Sequence, residues 1–124
     1  MKYSKLFKTF RLLMQAIFKP YNIASSTKIT KTLLRSCSSL TEISISSNVL
    51  EIEDSCFSDC EFLWSISVDS ANMKFASIDG ILFNKNFDTL LRFPCQHRFL
   101  NYKIPQGVTS IADFAFSDCF KLQS

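Results

Sequence analysis

The sequence predicts a β-rich repeat solenoid in which short strands and short helical turns stack coil on coil, and three observations carry that expectation. The segment 49–65, VLEIEDSCFSDCEFLWS, returns 59 positions later as VTSIADFAFSDCFKLQS, with nine identities in seventeen. A shift of 23 in the other direction lays Ile29, Leu34, Cys37, Leu40, Ile43 and Ile45 on Ile52, Phe57, Cys60, Leu63, Ile66 and Val68. The first two copies each end in a run that alternates apolar and polar residues, the period of a half-buried strand. A period of 23 with one strand per coil is the signature of a solenoid of stacked repeats.

Composition suits one folded domain. The chain has 124 residues, 47% of them hydrophobic and 20% charged, and its 13 phenylalanines supply a bulky core while two glycines leave little room for a fold built on tight glycine turns. Charge is divided unevenly. Before Glu42 there are eight basic residues and no acidic one; from Glu42 onward there are six basic and eleven acidic. A basic leader attracts anionic surfaces. No zinc-finger spacing, RNA-binding aromatic motif or glycine-rich phosphate loop accompanies it, and the chain is not expected to bind nucleic acid.

Residues 1–25 read as a basic amphipathic helix and its linker. In MKYSKLFKTFRLLMQAIFKP, Leu6, Phe10, Leu13 and Ile17 line one face and Lys5, Lys8, Arg11, Gln15 and Lys19 another, until Pro20 stops the pattern. Three uses compete: a cap on the end of the solenoid, an interfacial helix touching a membrane surface, or a signal peptide. The last is disfavoured by charges that run to Arg11 and by Gln15 within the short apolar stretch.

Residues 26–124 then form the repeat domain, with copies at 26–48, 49–69 and 105–124 and an insert at 70–104. The template I-x4-F-x2-C-x2-L-x2-I-x-I closes on the strands EISISS and WSISVDS, which send Ile43, Ile45, Ile66 and Val68 inward and Ser44, Ser46, Ser65 and Ser67 outward. Its upstream part is too irregular for a strand and too short for a full helix, which suits a brief helical or 3₁₀ turn. Within the insert, Asp79-Gly80 is a hairpin turn between Phe75–Ile78 and Ile81–Phe83, and a second turn at 84–88 leads to a strand through Leu90, Leu91 and Phe93 that Pro94 ends. A strand at YKIP, from Tyr102, returns to the repeat. The insert is expected to extend the sheet of the repeats and to act as a structural spacer. The third copy stops at FKLQS, where its closing strand should begin, so its last turn should fray and the open edge invites self-association.

VTSIADFAFSDCFKLQS, with IPQG before it, resembles the V-T-S-I-G-x-x-A-F-x-x-C-x-x-L-x-S consensus of BspA-like leucine-rich repeats, also called the Treponema pallidum type. FASIDGILFNKNFDTLLRFP resembles the strand-rich insert that recurs between repeats in those proteins. The pairing covers roughly 26–124, with Ala112 in place of the usual glycine and Leu34 in place of phenylalanine. The resemblance implies a solenoid and, as in bacterial and protist relatives, surface proteins that adhere to host matrix or to other cells.

Stacked coils would align Cys37, Cys60 and Cys119 in one inner column, where cysteine serves as a small filler with a weak S–H donor. A zinc site is poorly served, because Cys56-x3-Cys60 and Cys95-x-His97 lack the usual ligand spacing. FPCQHRF reads as an exposed basic turn with His97 in solvent, so no cysteine nucleophile is expected beside the sole histidine. No catalytic residue, metal or cofactor is expected. The outward strand residues Glu42, Ser44, Ser46, Ser65, Ser67 and Asp69, with Trp64 as an aromatic anchor, are the candidate surface for a protein partner, either host matrix or cell surface. The alternative is an intracellular scaffold or an inert fragment of a longer array.

Overall fold

The computed structural model describes residues 21–23, 27–31, 34 and 39–124. The N-terminal helix expected over 1–20, and Cys37, lie outside the described residues.

The alternation in EISISS and WSISVDS becomes strands β3 (Glu42–Ile45) and β5 (Ser65–Val68), which pair in parallel with Ile43 opposite Ile66 and Ile45 opposite Val68. Strand β1 (Tyr21–Ile23) flanks β3 on its other side, giving the order β1-β3-β5. A second parallel ladder joins β2 (Lys28–Ile29) to β4 (Glu51–Ile52), with Ile29 opposite Ile52. From β3 to β5 and from β2 to β4 the pairing steps by the sequence period of 23, and from β1 to β3 by 22. Ile43, Ile45, Leu63 and Ile66 are almost wholly buried, and each contributes about 1.5–3 kcal/mol of apolar burial.

In the second and third copies the chain between the two ladders runs through turns where a helical segment was expected. Cys56, Ser58, Cys60 and Leu63 each donate a backbone N–H to the carbonyl three residues earlier. Ala115, Ser117, Cys119 and Leu122 make the same four bonds 59 positions on. Left-handed residues interrupt both series, Ser55 at φ 59° in one and Phe114 at φ 64° and Asp118 at φ 60° in the other, so the i→i+3 bonds start two or three residues apart and do not form a continuous 3₁₀ helix.

The insert does not extend the repeat sheet. Strands β6 (Phe75–Ile78), β7 (Ile81–Asn84) and β8 (Thr89–Arg92) form a separate sheet with β9 (Ser110–Ile111) of the third copy, in the order β6-β7-β8-β9. The hairpin turn falls at Asp79 and Gly80, both at positive φ, as a primed turn requires. Gly80 also lies against Ser65: a Cβ there would sit 2.7 Å from Ser65 Oγ and 3.2 Å from its Cα. The second turn forms as expected, with Asn84 Oδ1 accepting from the N–H groups of Asp88 and Thr89.

The sheets part because β8 takes the place of a repeat strand. Thr27 and Ile29 accept the backbone N–H groups of Leu50, Glu51 and Glu53; Asp88 and Leu90 accept those of Thr109, Ser110 and Ala112 in the same pattern. Likewise Trp64 N–H donates to Thr41 O, and 59 residues later Gln123 N–H donates to Leu100 O. Residues 89–104 therefore behave as a degenerate coil beneath the third copy. YKIP forms no regular strand, yet Tyr102 N–H donates to Ser124 O at 2.7 Å and Ser124 Oγ bonds Asn101 Oδ1 at 2.7 Å. The last residues thus find partners in the insert, contrary to the expected fraying.

Two cores result. The first gathers Ile29, Leu34, Ile43, Ile45, Leu63 and Ile66 with Leu82; the second gathers Ile81, Phe83, Leu90, Phe93 and Ala115. Strand β7 is the wall between them, which is why ILF is a continuous apolar run and does not alternate.

Candidate functional site

Glu42, Ser44 and Ser46 are half-buried along β3, and Ser67 and Asp69 are exposed on and just after β5. Glu42 lies opposite Ser65 and Ser44 opposite Ser67, so the structure brings these four onto neighbouring strands. Ser67 Oγ reaches Ile43 O at 3.5 Å, and Asp69 Oδ1 accepts from Ala71 N–H at 2.8 Å, which commits Asp69 partly to its own turn.

The far edge of β5 is covered by the insert. Ile66 N–H donates to Gly80 O at 2.9 Å and Val68 N–H to Ser77 Oγ at 2.9 Å. Where the hairpin tip meets the sheet, Trp64 and Ser65 line a pocket of about 180 Å³ with Asp79, His97 and Arg98. Trp64 and Ser65 come from the alternating run, Asp79 from a hairpin turn, and His97-Arg98 from the loop after β8. Only the first pair was legible as a binding surface. Asp79 reads in the sequence as a turn residue, and nothing local announces that Arg98 will stand beside it.

His97 corrects the expectation of a solvated loop. It is 4% exposed and lies between Phe93 and Phe99, with ring centroids 4.9 and 4.5 Å away. Nδ1 accepts from Phe99 N–H at 3.1 Å, so the ring proton sits on Nε2 and is donated to Asp79 O at 2.6 Å. The imidazole thereby fastens the hairpin tip to the loop that follows β8. Phe93, Pro94, Cys95 and His97 are buried because the loop closes the second core, while Arg98 in the same stretch is exposed.

The cysteines line the inner corner where coils meet. Cys56, Cys60 and Cys95 are buried and Cys119 is half-buried, with no disulfide among the four. The insert supplies a rung the repeat pattern did not foresee: Cys95 Sγ donates to the carbonyls of Cys60 and Glu61, at 3.4 and 3.2 Å. Cys119 Sγ donates to Phe93 O at 3.4 Å. Burial, with Cys60 and Glu53 nearby, pushes the Cys56 thiol up to about 12, and burial also raises Cys95 and Cys119. Such thiols pack and cap carbonyls; they are poor nucleophiles. Because the folded state holds the Cys56 proton above the ordinary value of 9.0, this group's contribution to stability is complete below pH 9 and falls as pH rises from there to about 12. Cys56→Ala, which copies Ala115 at the equivalent position, should flatten that alkaline decline in denaturation curves recorded across this range. An unchanged slope would refute the assignment.

Among the described residues no group of three or more His, Cys, Asp and Glu could hold a metal ion, and no helix is long and apolar enough to cross a membrane.

The family model described as the BspA type leucine rich repeat region, in six copies, matches residues 6–90 and 92–124. No curated protein sequence matches significantly. Three solved structures are similar. A leucine-rich repeat protein from Eubacterium ventriosum ATCC 27560 aligns at 26% identity and TM-score 0.72, over 80% of this chain and 27% of its own. A leucine rich cell surface protein from Faecalibacterium prausnitzii A2-165 aligns at 34% identity and TM-score 0.56, over 64% of this chain and 21% of its own. The pneumococcal vaccine antigen PcpA shares the fold at 23% identity and TM-score 0.63, over 68% of this chain and 27% of its own. The chain spans about a quarter of the length of these structures. Repeat modules of this kind typically bind proteins and carry no catalysis. With the doubled strand ladders, the matching turns 59 residues apart and a family match over nearly the whole length, the chain belongs to the BspA-type leucine-rich repeat family.

Proposed function

We propose that this chain is an adhesion module that binds a matrix or cell-surface protein without catalysis. Its contact surface is the outward face of β3 and β5, carrying Glu42, Ser44, Ser46, Ser67 and Asp69, continued into the pocket of Trp64 and Ser65. The observation that carries this reading is that pocket, which sets an indole and a hydroxyl from the repeat beside a carboxylate and a guanidinium from the insert. Aromatic and arginine anchors in a partly enclosed site, rimmed by hydroxyls, are the usual make-up of a binding hot spot. The similarity to a cell surface protein and to a vaccine antigen agrees with that role.

Purified protein passed over a panel of immobilised matrix and cell-surface proteins should give saturable binding to at least one. Trp64→Ala and Arg98→Ala should each weaken it about 30-fold, the loss of a hot-spot residue, with the circular dichroism spectrum unchanged. Absence of saturable binding, or binding indifferent to both variants, would refute the reading.

A further inference from the structure

A second cleft, which shares no lining residue with the Trp64 pocket, contains a charge the repeat scaffold does not explain. Arg92, the last residue of β8, is 4% exposed. Its Nη1 donates to Phe114 O at 2.6 Å, while Nε is buried without a partner. No carboxylate among the described residues pairs with it. One carbonyl is poor compensation for a guanidinium taken out of water. Nη2 is neither buried without a partner nor bonded within the fold, so it is the nitrogen that reaches the cleft.

That cleft has a volume of about 80 Å³ and opens between the turn of the second copy and the turn of the third. Arg92 lies at its floor and the exposed Asp54 and Asp113 at its mouth. These two aspartates occupy the same template position, one in each turn. Glu53, also at the mouth, is already committed to Lys31 N–H at 2.9 Å. Phe57, Leu82 and Phe114 supply apolar walls.

The order of charges selects the ligand. A simple anion meets two aspartates before it reaches Arg92, and a simple cation meets Arg92 at the floor. A molecule with a carboxylate at one end and an ammonium at the other satisfies both. We propose that this cleft binds a small zwitterion of the α-amino acid class, its carboxylate on Arg92 and its ammonium against Asp54 and Asp113. The cleft's volume of about 80 Å³ suits glycine or alanine, whereas an aromatic side chain would have to extend out of its mouth. The site is separate from the Trp64 pocket and does not depend on a partner docking there.

The Arg92 Nε–H resonance of the ¹⁵N-labelled full chain is the readout, titrated with glycine, acetate, methylammonium and phenylalanine as probes. Glycine should shift it saturably, with acetate and methylammonium weaker by about tenfold each, the loss of a hydrogen bond to a charged group, and phenylalanine weaker than glycine. Asp54→Asn combined with Asp113→Asn alters only exposed side chains, so the fold should survive. It should weaken glycine about tenfold and tighten acetate, which no longer passes two like charges on its way to Arg92. No saturable glycine shift, glycine binding indifferent to the double variant, or acetate as tight as glycine would each overturn the proposal.

Discussion

Phe93→Ala is expected to destabilise the chain by about 3–5 kcal/mol, the range for deleting a buried phenylalanine. Phe93 is 1% exposed and lies among the rings of His97, Tyr102 and Phe116 at centroid distances of 4.9, 5.1 and 5.4 Å. Its backbone also joins the insert to the third copy, since its N–H donates to Ala115 O and its carbonyl accepts the Cys119 thiol. Truncation leaves those backbone bonds around a cavity that the neighbouring rings cannot fill without leaving their own contacts. A domain of this size is stable by about 5–15 kcal/mol in all, so the loss is a large share of the total. Urea denaturation should show a lower midpoint with little change in slope. Phe120→Ala, at a residue 90% exposed, should stay within about 0.5 kcal/mol and serves as the control. A loss under about 1 kcal/mol at Phe93 would mean that the second core is not organised around that ring.

Asn72→Asp, a change of almost no volume, is expected to cost about 3–5 kcal/mol at neutral pH. Asn72 is wholly buried and all four of its side-chain bonding positions are used. Nδ2 donates to Ser46 O at 2.8 Å and Val49 O at 2.9 Å, while Oδ1 accepts from the N–H groups of Lys74 and Phe75, both at 2.8 Å. A carboxylate would keep the two acceptor bonds and turn a second charged oxygen toward two carbonyls. The fold would favour the protonated form of the introduced acid, so the deficit against wild type should shrink as pH falls and grow as pH rises. Chemical denaturation of both proteins at pH 4 and pH 7 measures this, and equal deficits at the two values would refute the four-bond arrangement. Asn72 was not legible beforehand because ANMKF shows only a polar residue near the start of the insert, and its two acceptor carbonyls lie 26 and 23 residues back.

The repeat ladders were legible for a reason that belongs to strand geometry. A period of 23 with alternating Ile, Ser, Ile leaves one register in which every apolar side chain faces inward, and β3 and β5 adopt it. The hairpin was legible for a similar reason, since Asp79-Gly80 is a local signal for a primed turn. The outward serines of β3 followed from the same alternation as the inward isoleucines.

The insert behaved otherwise. Its second half carries none of the repeat's marker residues at the expected spacing, yet β8 presents the same backbone acceptors as a repeat strand. Backbone hydrogen bonding is indifferent to side chains, so a coil can be copied in space with little trace in the letters. His97 and Cys95 were misplaced by the same circumstance: a polar stretch after a proline looks solvated until a second core closes over it.

Local order in the chain, then, was enough to set the strand period, the inward column of isoleucines and the hairpin, because each depends on neighbours a few residues apart and on a spacing repeated along the chain. The pocket at Trp64, the buried guanidinium of Arg92 and the clasp of His97 on Asp79 unite residues 14 to 34 positions apart through one particular packing of insert on coil. No short-range preference encodes that packing, so their partners became known only once the two cores were in place.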